Sequence, residues 1–540
     1  MGLRRALGQP ARYATLVAGA LPALAFPAAN LEILGWIGLV PGLALMRAAP
    51  TRREAAVRGW WFGAGYLLAN MYWLAPNLGP GLLLVAIVIG FLWTAVGLAV
   101  WAMTRPPMSL RRAAAALVVV PSSWLVTEWI RSWQGLGGPW AVLGASQWQH
   151  PAILALAAVG GVWLVTFALV AANTGVLLAI TARSAPARLA GAAGVLVAAL
   201  AGPLAFAATA PPPVSRHITV ALVQPGTEPT AARLADSERL SASVADRADL
   251  IVWGESSVGY DLADRPALLA SVERASRSAG ADVLVSQDAL NKAGAHIKQA
   301  LVVTSTGTGG SYTKTRLVPF GEYIPFRSVL GWLSKISKAA AQNVVAGNGA
   351  HVLTAAIPRS RPLTFGVLIC FESAFPDMSR VDTDHGAQVI LYQTSDTTFE
   401  SSWAPAQHAA LGALRAAETG RPVAQAALTG DSAAFDDRGR LLAWAGTSYR
   451  GVLLVRLALP ASSARTLYDR LGDYVPWTAT AIAGLAALTG LRRMRRNRSR
   501  PANGIVARTS VGIGSEGSRT AGGSAPDTAS RPGSAAAPTD

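Results

Sequence analysis

Phe365-Gly366-Val367-Leu368-Ile369-Cys370-Phe371-Glu372-Ser373 is an apolar run that ends on the only cysteine in 540 residues. Its apolar residues do not alternate with polar ones, so it reads as a central strand covered on both faces. In α/β folds ligands gather beyond the carboxyl ends of such strands, and Cys370 stands at that place. Two more stretches set polar groups at the ends of strand-like runs. Leu250-Ile251-Val252-Trp253-Gly254-Glu255-Ser256-Ser257 leads to Glu255, and Tyr312-Thr313-Lys314 opens a segment that runs through Glu322 to Pro325. Short β-branched runs at 218–223, 250–253, 283–286, 301–304, 363–369, 389–392 and 452–457 alternate with helix-like stretches such as 261–279 and 404–420. This alternation predicts a layered α/β domain over 217–460.

These residue types define a chemistry. A thiol becomes a nucleophile when a base takes its proton or a cation stabilises the thiolate. Glu255 can be that base, and Lys314 can stabilise the oxyanion of a tetrahedral intermediate. The chain has five lysines, all between 292 and 338, and uses arginine elsewhere. A compact amine at 314 suits a role that a guanidinium does not fill. Each residue also has a plainer reading. A lone cysteine after Val-Leu-Ile is commonly an inert core residue, Glu255 fits a strand-end ion pair, and Lys314 fits a solvated side chain. No spacing rule joins three positions so far apart. The histidines at 150, 217, 296, 351, 385 and 408 have no metal-ligand spacing, and no phosphate loop or dinucleotide fingerprint is present, so neither metal nor cofactor is expected. A single cysteine excludes an intrachain disulfide.

Outside this domain the chain is lipid-like. Hydrophobic residues make up 51% and charged residues 14%, against roughly a quarter charged in soluble domains. Seven apolar segments, at about 12–28, 31–49, 59–76, 80–103, 112–130, 151–181 and 187–209, precede the α/β domain, and an eighth follows at 472–491. Arginines crowd the amino end (Arg4, Arg5, Arg12) and alternate loops (Arg47, Arg52, Arg53, Arg58; Arg105, Arg111, Arg112; Arg183, Arg188), and Arg492–Arg500 follow the eighth. The positive-inside rule then places both termini in the cytoplasm and the α/β domain outside, in the plasma or inner membrane. The first segment reads less well as a signal peptide, because its removal would upset this alternation. The net charge of +17 therefore sets topology, and no nucleic-acid partner is expected. Domain boundaries are expected at 1–210, 217–460, 472–491 and 492–540, the last a basic stretch leading into a disordered tail from about 501. Trp60, Trp61, Trp73, Trp129, Trp133 and Trp140 are read as interfacial anchors, and Glu128 as a partner of Arg131 at i+3.

The three strand-end segments resemble the Glu–Lys–Cys signatures of the nitrilase superfamily. Lys-Thr-Arg-Leu-Val-Pro-Phe-Gly-Glu-Tyr-Ile-Pro at 314–325, Ile-Cys-Phe-Glu-Ser at 369–373, and Gln407-His408…Arg415-Ala416…Glu418…Gly420-Arg421-Pro422 with Thr429-Gly430 are similar to the membrane-bound branch, the apolipoprotein N-acyltransferases. The resemblance covers about 1–491. It implies a bundle of about eight transmembrane helices plus an exported nitrilase-like αββα sandwich. It also implies Cys370 as nucleophile, Glu255 as general base and Lys314 as oxyanion stabiliser, with Glu322, Glu372 and Phe371 in support. The implied reaction moves an acyl chain from a membrane phospholipid, through a thioester, to the α-amine of a diacylated apolipoprotein, catalysed by a monomer without cofactor. A membrane-tethered amidase using the same three residues, and a weak paralogue acting as a scaffold, remain as alternatives. The departures are Gly254 for proline, Phe371 for tyrosine, Ser395 and Thr398 for asparagine and tryptophan, and a missing tryptophan after Gln224-Pro225. Val329–Lys338 is amphipathic and reads either as a lid on the lipid surface or as a packed surface helix.

Overall fold

The computed structural model of the chain describes residues 10–226, 229–325, 327–331, 343–358 and 360–498. Most of the 329–338 segment and the tail beyond 498 lie outside them. Twelve strands occur among the described residues: β1 (Val214–Gln224), β2 (Leu250–Trp253), β3 (Asp282–Leu290), β4 (His296–Thr304), β5 (Gly307–Thr313), β6 (Leu353–Ala355), β7 (Leu363–Ile369), β8 (Val389–Thr394), β9 (Val423–Ala427), β10 (Ser432–Phe435), β11 (Leu441–Ala445) and β12 (Gly451–Pro460). They form two six-stranded sheets, ordered β12-β1-β2-β3-β4-β5 and β11-β10-β9-β8-β7-β6. Each sheet has three parallel strands at its centre, β1-β2-β3 in one and β7-β8-β9 in the other, flanked by antiparallel strands. Buried parallel strands explain the apolar runs without alternation.

The inner faces meet in one core, with Val220, Leu222 and Val252 from the first sheet among Phe365, Val367 and Leu391 from the second. Helices Thr230–Ala242 and Pro266–Ala279 cover the outer face of the first sheet, burying Val223, Ile251 and Val283. Helices Pro376–Asp384 and Ala404–Thr419 cover the second, over Leu368, Ile390 and Tyr392. The result is an αββα sandwich. Every residue of Ala404–Thr419 except Ala406 is buried, because its far side packs on the long helix Pro151–Thr181. One apolar core therefore runs from the second sheet into the helical bundle, and includes Phe435, Tyr392, Trp148, Trp163 and Trp124.

Among the described residues five helices are long and apolar enough to cross a membrane: Gly81–Thr104, Leu110–Arg131, Pro151–Thr181, Ala185–Ala208 and Tyr474–Arg492. The chain is a membrane protein. Exposed Leu83, Leu84, Ile87, Val88, Leu196 and Val197 on these helices have no protein cover, as lipid-facing residues should. The remaining expected spans are less regular. The first two are broken into Pro10–Ala20, Ile33–Ile37 and Val40–Arg47, and the helix Arg52–Asn70 opens on Arg52, Arg53 and Glu54 with Arg58 a turn later. At one end of the bundle Arg47 donates to the carbonyls of Thr104 (2.9 Å) and Thr181 (3.3 Å), and Glu54 takes Arg12 (2.6 Å) and Arg58 (3.2 Å).

The bundle corrects two expectations. Trp73 and Trp140 are buried rather than interfacial: their rings pack at a tilt with centroids 5.1 Å apart, Trp73 meets Phe399, and the Trp140 indole donates to Gln407 (2.9 Å). Glu128 and Arg131 do not close an ion pair with each other. Glu128 accepts from Trp124 (2.9 Å), Thr166 (3.2 Å) and the amide of Leu143 (2.8 Å), while Arg131 donates to the carbonyls of Gly138 (3.2 Å) and Trp140 (2.6 Å). Both charges grip the segment between Ser132 and Trp148, which carries Trp140 to the sandwich.

The Pro151–Thr181 helix is broken at Gly160–Gly161, where Gly161 adopts φ +71 and ψ 179. The break frees the amide of Val162, which donates to Glu418 of the Ala404–Thr419 helix (2.7 Å). Burial pushes Glu418 up to about 7, with Arg415 opposing that rise. A Cβ at Gly161 would also meet the Tyr468 ring at 2.7 Å. Gly161→Ala is therefore expected to destabilise the chain by ~1–3 kcal/mol, read as a lower unfolding midpoint in detergent, whereas Gly484→Ala, which meets nothing within 4 Å, should leave it unchanged.

Candidate active site

Two sheets must be tied together at their carboxyl ends for side chains from both to meet. Buried amides do this. Gln393 at the end of β8 donates across the sandwich to the carbonyls of Trp253 (2.9 Å) and Leu284 (3.2 Å). Gln224 at the end of β1 donates to Gly430 (3.0 Å) and accepts from Ser432 (2.5 Å). The carbonyl of Thr394 takes both the amide of Glu255 (3.1 Å) and that of Leu428 (2.8 Å). This close approach explains Gly254. A Cβ there would lie 2.0 Å from the amide nitrogen of Leu428.

Glu255, Lys314 and Cys370 each stand just past a strand, β2, β5 and β7, and the fold brings them together. Lys314 is fully buried, and its ammonium lies 3.2 Å from Glu255 and 2.8 Å from Glu322. Glu322 is itself anchored by the amide of Val318 (2.8 Å). Burial would raise the Glu255 carboxyl, but Lys298, Lys314 and the hydrogen bond from Lys314 bring it down to about 2. Burial and the charge of Glu255 push the Cys370 thiol well up, against the pull of Lys314. Burial alone would lower Lys314, but Glu255, Glu322 and Cys370 hold it well above its ordinary value. The resting site is thus a carboxylate, an ammonium and a neutral thiol brought together. A neutral thiol beside an ionised carboxylate can pass it a proton once a carbonyl arrives to take the sulfur's electrons.

Cys370 keeps part of its surface open, and its φ of +54 lies in the left-handed region that non-glycine residues seldom adopt. The turn Cys370–Ala374 holds it there. Glu372 is the clamp. One of its oxygens accepts from the amide of Ile369 (2.8 Å). The other takes the amides of Thr315 (2.7 Å) and Arg316 (2.9 Å) and the hydroxyls of Tyr312 (2.7 Å) and Thr315 (2.9 Å). One buried carboxylate so fixes the Cys370 turn against the Lys314 segment. Phe371 packs edge-on against Phe375 with centroids 5.0 Å apart, and its Cζ lies 2.8 Å from where a Cβ on Gly138 would stand. The membrane-derived segment fills the space into which a tyrosine hydroxyl at 371 would extend.

Sequence reasoning missed two parts of the site. Lys298 donates to Ser256 (2.9 Å) and lies 3.4 Å from Glu255 and 3.6 Å from Asp288. It was visible only as one of the five clustered lysines. His408 and Asp396 pair behind the Cys370 turn at 3.0 Å. The residues Gln407-His408 signalled a family pattern, but nothing in their spacing pointed to Cys370. Among the described residues no group of three or more His, Cys, Asp or Glu is arranged to hold a metal ion.

Beside the site an open cleft of about 590 Å³ is lined by Trp133 and Gln134 of the membrane-derived segment and by Thr315, Leu317, Tyr323 and Val344. Gln134 donates to the carbonyl of Leu317 across it (3.0 Å).

Residues 18–175 match the family described as apolipoprotein N-acyltransferase N-terminal domain, and residues 219–464 match carbon-nitrogen hydrolase. An apolipoprotein N-acyltransferase of Rhizobium meliloti is 31% identical over 83% of this chain and 87% of its own length. That of Azotobacter vinelandii is 30% identical over 93% and 98%. Among solved structures, an amidase from Nesterenkonia sp. AN1 is 20% identical, covers 48% of this chain and 95% of its own, and has a TM-score of 0.35.

Two substitutions test how the site is built. Gly254→Pro inserts the proline expected from the resemblance into the contact with Leu428 and should destabilise the chain by ~1–3 kcal/mol. Glu372→Ala leaves several buried donors without an acceptor and should cost about 3 kcal/mol or more. Unfolding midpoints of the purified proteins in detergent check both, with Gly446→Ala, which meets nothing within 4 Å, as the control.

Proposed function

The chain belongs to the apolipoprotein N-acyltransferase family, and on that premise we propose that Cys370, Glu255 and Lys314 carry a two-step transfer of a phospholipid acyl chain to an amine. The observation that supports this reading most is the convergence of Glu255, Lys314 and Cys370 at the carboxyl ends of the strands, with the buried Lys314 ammonium 3.2 Å from Glu255 and electrostatic coupling of both to Cys370. In the first step Glu255 takes the thiol proton and the sulfur attacks the ester carbonyl of a phospholipid. Negative charge gathers on the carbonyl oxygen, where Lys314 stabilises it. The carbon–oxygen bond to glycerol then breaks, Glu255 returns the proton to the leaving alkoxide, and a lysophospholipid departs from a thioester on Cys370. In the second step the neutral α-amine of a diacylated amino-terminal cysteine attacks the thioester and passes a proton to Glu255. The carbon–sulfur bond breaks and the thiolate recovers that proton, leaving an amide.

Glu322 orients Lys314, and Glu372 holds the turn of Cys370 against the lysine segment. The 590 Å³ cleft between the membrane-derived segment and the Leu317–Tyr323 loop receives acyl chains, since both substrates are membrane-anchored. No cofactor takes part. The chain works as four parts, a helical bundle over 1–210, the catalytic sandwich over 217–460, a closing helix over 472–491 and a cytoplasmic tail over 492–540. The sandwich lies outside and both termini inside. The arginine-bearing loops support this orientation, as do the contacts of Arg47 with Thr104 and Thr181, which gather the ends of three segments on one side.

Two experiments check the reading. Detergent-purified protein incubated with a defined phospholipid should gain the mass of one acyl chain. That adduct should be absent from Cys370→Ala and discharged by a diacylated lipopeptide. Free fatty acid without amine acceptor would favour a hydrolase instead, and no adduct with no fatty acid would sink acyl transfer. For topology, single cysteines placed at exposed Asp264 and Arg111 in a Cys370→Ser chain should differ in intact cells. A membrane-impermeant maleimide should label position 264 and not 111; the reverse would invert the orientation.

A further inference from the structure

His408 contacts the backbone of the proposed nucleophile, and a carboxylate and a carbonyl face its two ring nitrogens. The ring is 1% exposed, on the helix Ala404–Thr419. Its Nδ1 lies 3.0 Å from a carboxylate oxygen of Asp396 and 3.1 Å from the Thr394 hydroxyl. Its Nε2 lies 3.1 Å from the carbonyl oxygen of Cys370 and 3.0 Å from the Ser373 hydroxyl, which itself donates to the Cys370 carbonyl (2.9 Å). A carboxylate and a carbonyl only accept, and a neutral imidazole has one N–H. The ring serves the Asp396 carboxylate and the Cys370 carbonyl together only when both nitrogens carry hydrogen; a neutral ring serves one of them and accepts from the Thr394 or Ser373 hydroxyl at the other nitrogen. The groups facing the ring are Asp396 from the loop after β8, Cys370 and Ser373 from the turn after β7, Thr394 from β8, the charge of Glu255 further off, and the indole of Trp140 with centroids 5.3 Å apart. Burial would deprotonate His408, but Asp396 and the Cys370 carbonyl hold its pKa above the ordinary value.

We propose that His408 is a positioning residue for the nucleophile: clamped by Asp396, its imidazolium fixes the left-handed turn of Cys370 and sets a positive charge beside the thiolate as it forms. Two features give the pair this role. The Cys370 carbonyl is the group whose direction fixes the turn, and it receives hydrogen bonds from His408 and Ser373. Nε2 lies 3.1 Å from the carbonyl of Cys370 itself, and a cation there opposes the Asp396 charge that pushes the thiol up. Trp140 caps the ring from the membrane-derived segment, so the bundle contributes to how the nucleophile is held.

The inference rests on Cys370 being the nucleophile, and its test has a readout that needs no lipid. Because Cys370 is the only cysteine, its alkylation by iodoacetamide can be followed by intact mass across pH on the full-length protein in detergent. His408→Gln keeps a donor near Nε2 but removes the charge. It should move the alkylation midpoint upward by about one pH unit and lower kcat for transfer from phospholipid to lipopeptide by about tenfold or more, with KM within about twofold. Asp396→Asn removes the charge that opposes burial and so lowers the His408 pKa. Its activity relative to wild type should fall at neutral pH and recover as the pH is lowered and the ring regains its proton. If His408→Gln does not purify as a folded chain, Asp396→Asn carries both readouts. Alkylation profiles and kcat unchanged in the folded variants, whatever their unfolding midpoints, would overturn the proposal. A shifted alkylation profile in a protein that never takes up an acyl chain would uphold the positioning role and instead sink the acyl-transfer reading.

Discussion

The ammonium of Lys314 is buried between two carboxylates, 3.2 Å from Glu255 and 2.8 Å from Glu322. Desolvating a charge costs several kcal/mol, and removing either partner of a buried pair leaves that cost uncompensated. The cluster therefore persists only if the ends of β2 and β5 and the Val318–Glu322 loop are held in fixed relation. Much of the carboxyl end of the sandwich serves that need. Gln393 and Gln224 cross between the sheets, Thr394 gathers two amides, and Glu372 binds the Cys370 turn to the Lys314 segment. The ion cluster keeps Glu255 ionised and the Cys370 thiol neutral, which is the resting state a nucleophile with a neighbouring base requires.

The two sheets share one pattern. Each has an antiparallel strand, three parallel strands and two more antiparallel strands, so β7 corresponds to β1, β8 to β2 and β9 to β3. The candidate site residues break that symmetry. Cys370 follows β7 whereas its counterpart β1 is followed by Pro225; Glu255 follows β2 whereas β8 is followed by Ser395 and Asp396. The bundle adds a second asymmetry, since only the helical layer of the second sheet is sealed by membrane helices. Ala404–Thr419 is consequently buried on both sides, and its His408, Gln407 and Glu418 connect the Cys370 turn to Trp140 and to the break at Gly161. Gly138 reaching Phe371 and Phe375 extends the same contact.

Much of this was legible in the sequence, for physical reasons. Buried parallel strands write continuous apolar runs, so β2, β7 and β8 could be read directly, and catalytic groups at their carboxyl ends stood out against them. The lone cysteine and the scarce lysines narrowed the choice further. What stayed hidden depends on contacts between distant segments. His408 meets Cys370 across 38 residues, Glu418 meets Val162 across 256, and Glu128 serves Leu143 rather than Arg131. Trp73 and Trp140 sit at segment ends as interfacial anchors do, but a soluble domain docks there and buries them. Gly254 looked like a weakened motif and is instead what the approach of Leu428 requires. The bundle was less legible than the sandwich, since short broken helices and a helix opening on arginines satisfy the apolar pattern without the length and composition of a crossing.

The central claim is that Glu255 and Lys314 act on Cys370 as one unit. A double-mutant cycle on the rate of Cys370 acylation, using Glu255→Gln, Lys314→Met and the pair, measures it directly. If the cluster is a unit, each single change should slow acylation by about a thousandfold, and the double variant should be within about tenfold of the slower single one. Losses that multiply in the double variant would mean that the two groups contribute independently, and the account of a buried, interdependent cluster would be wrong.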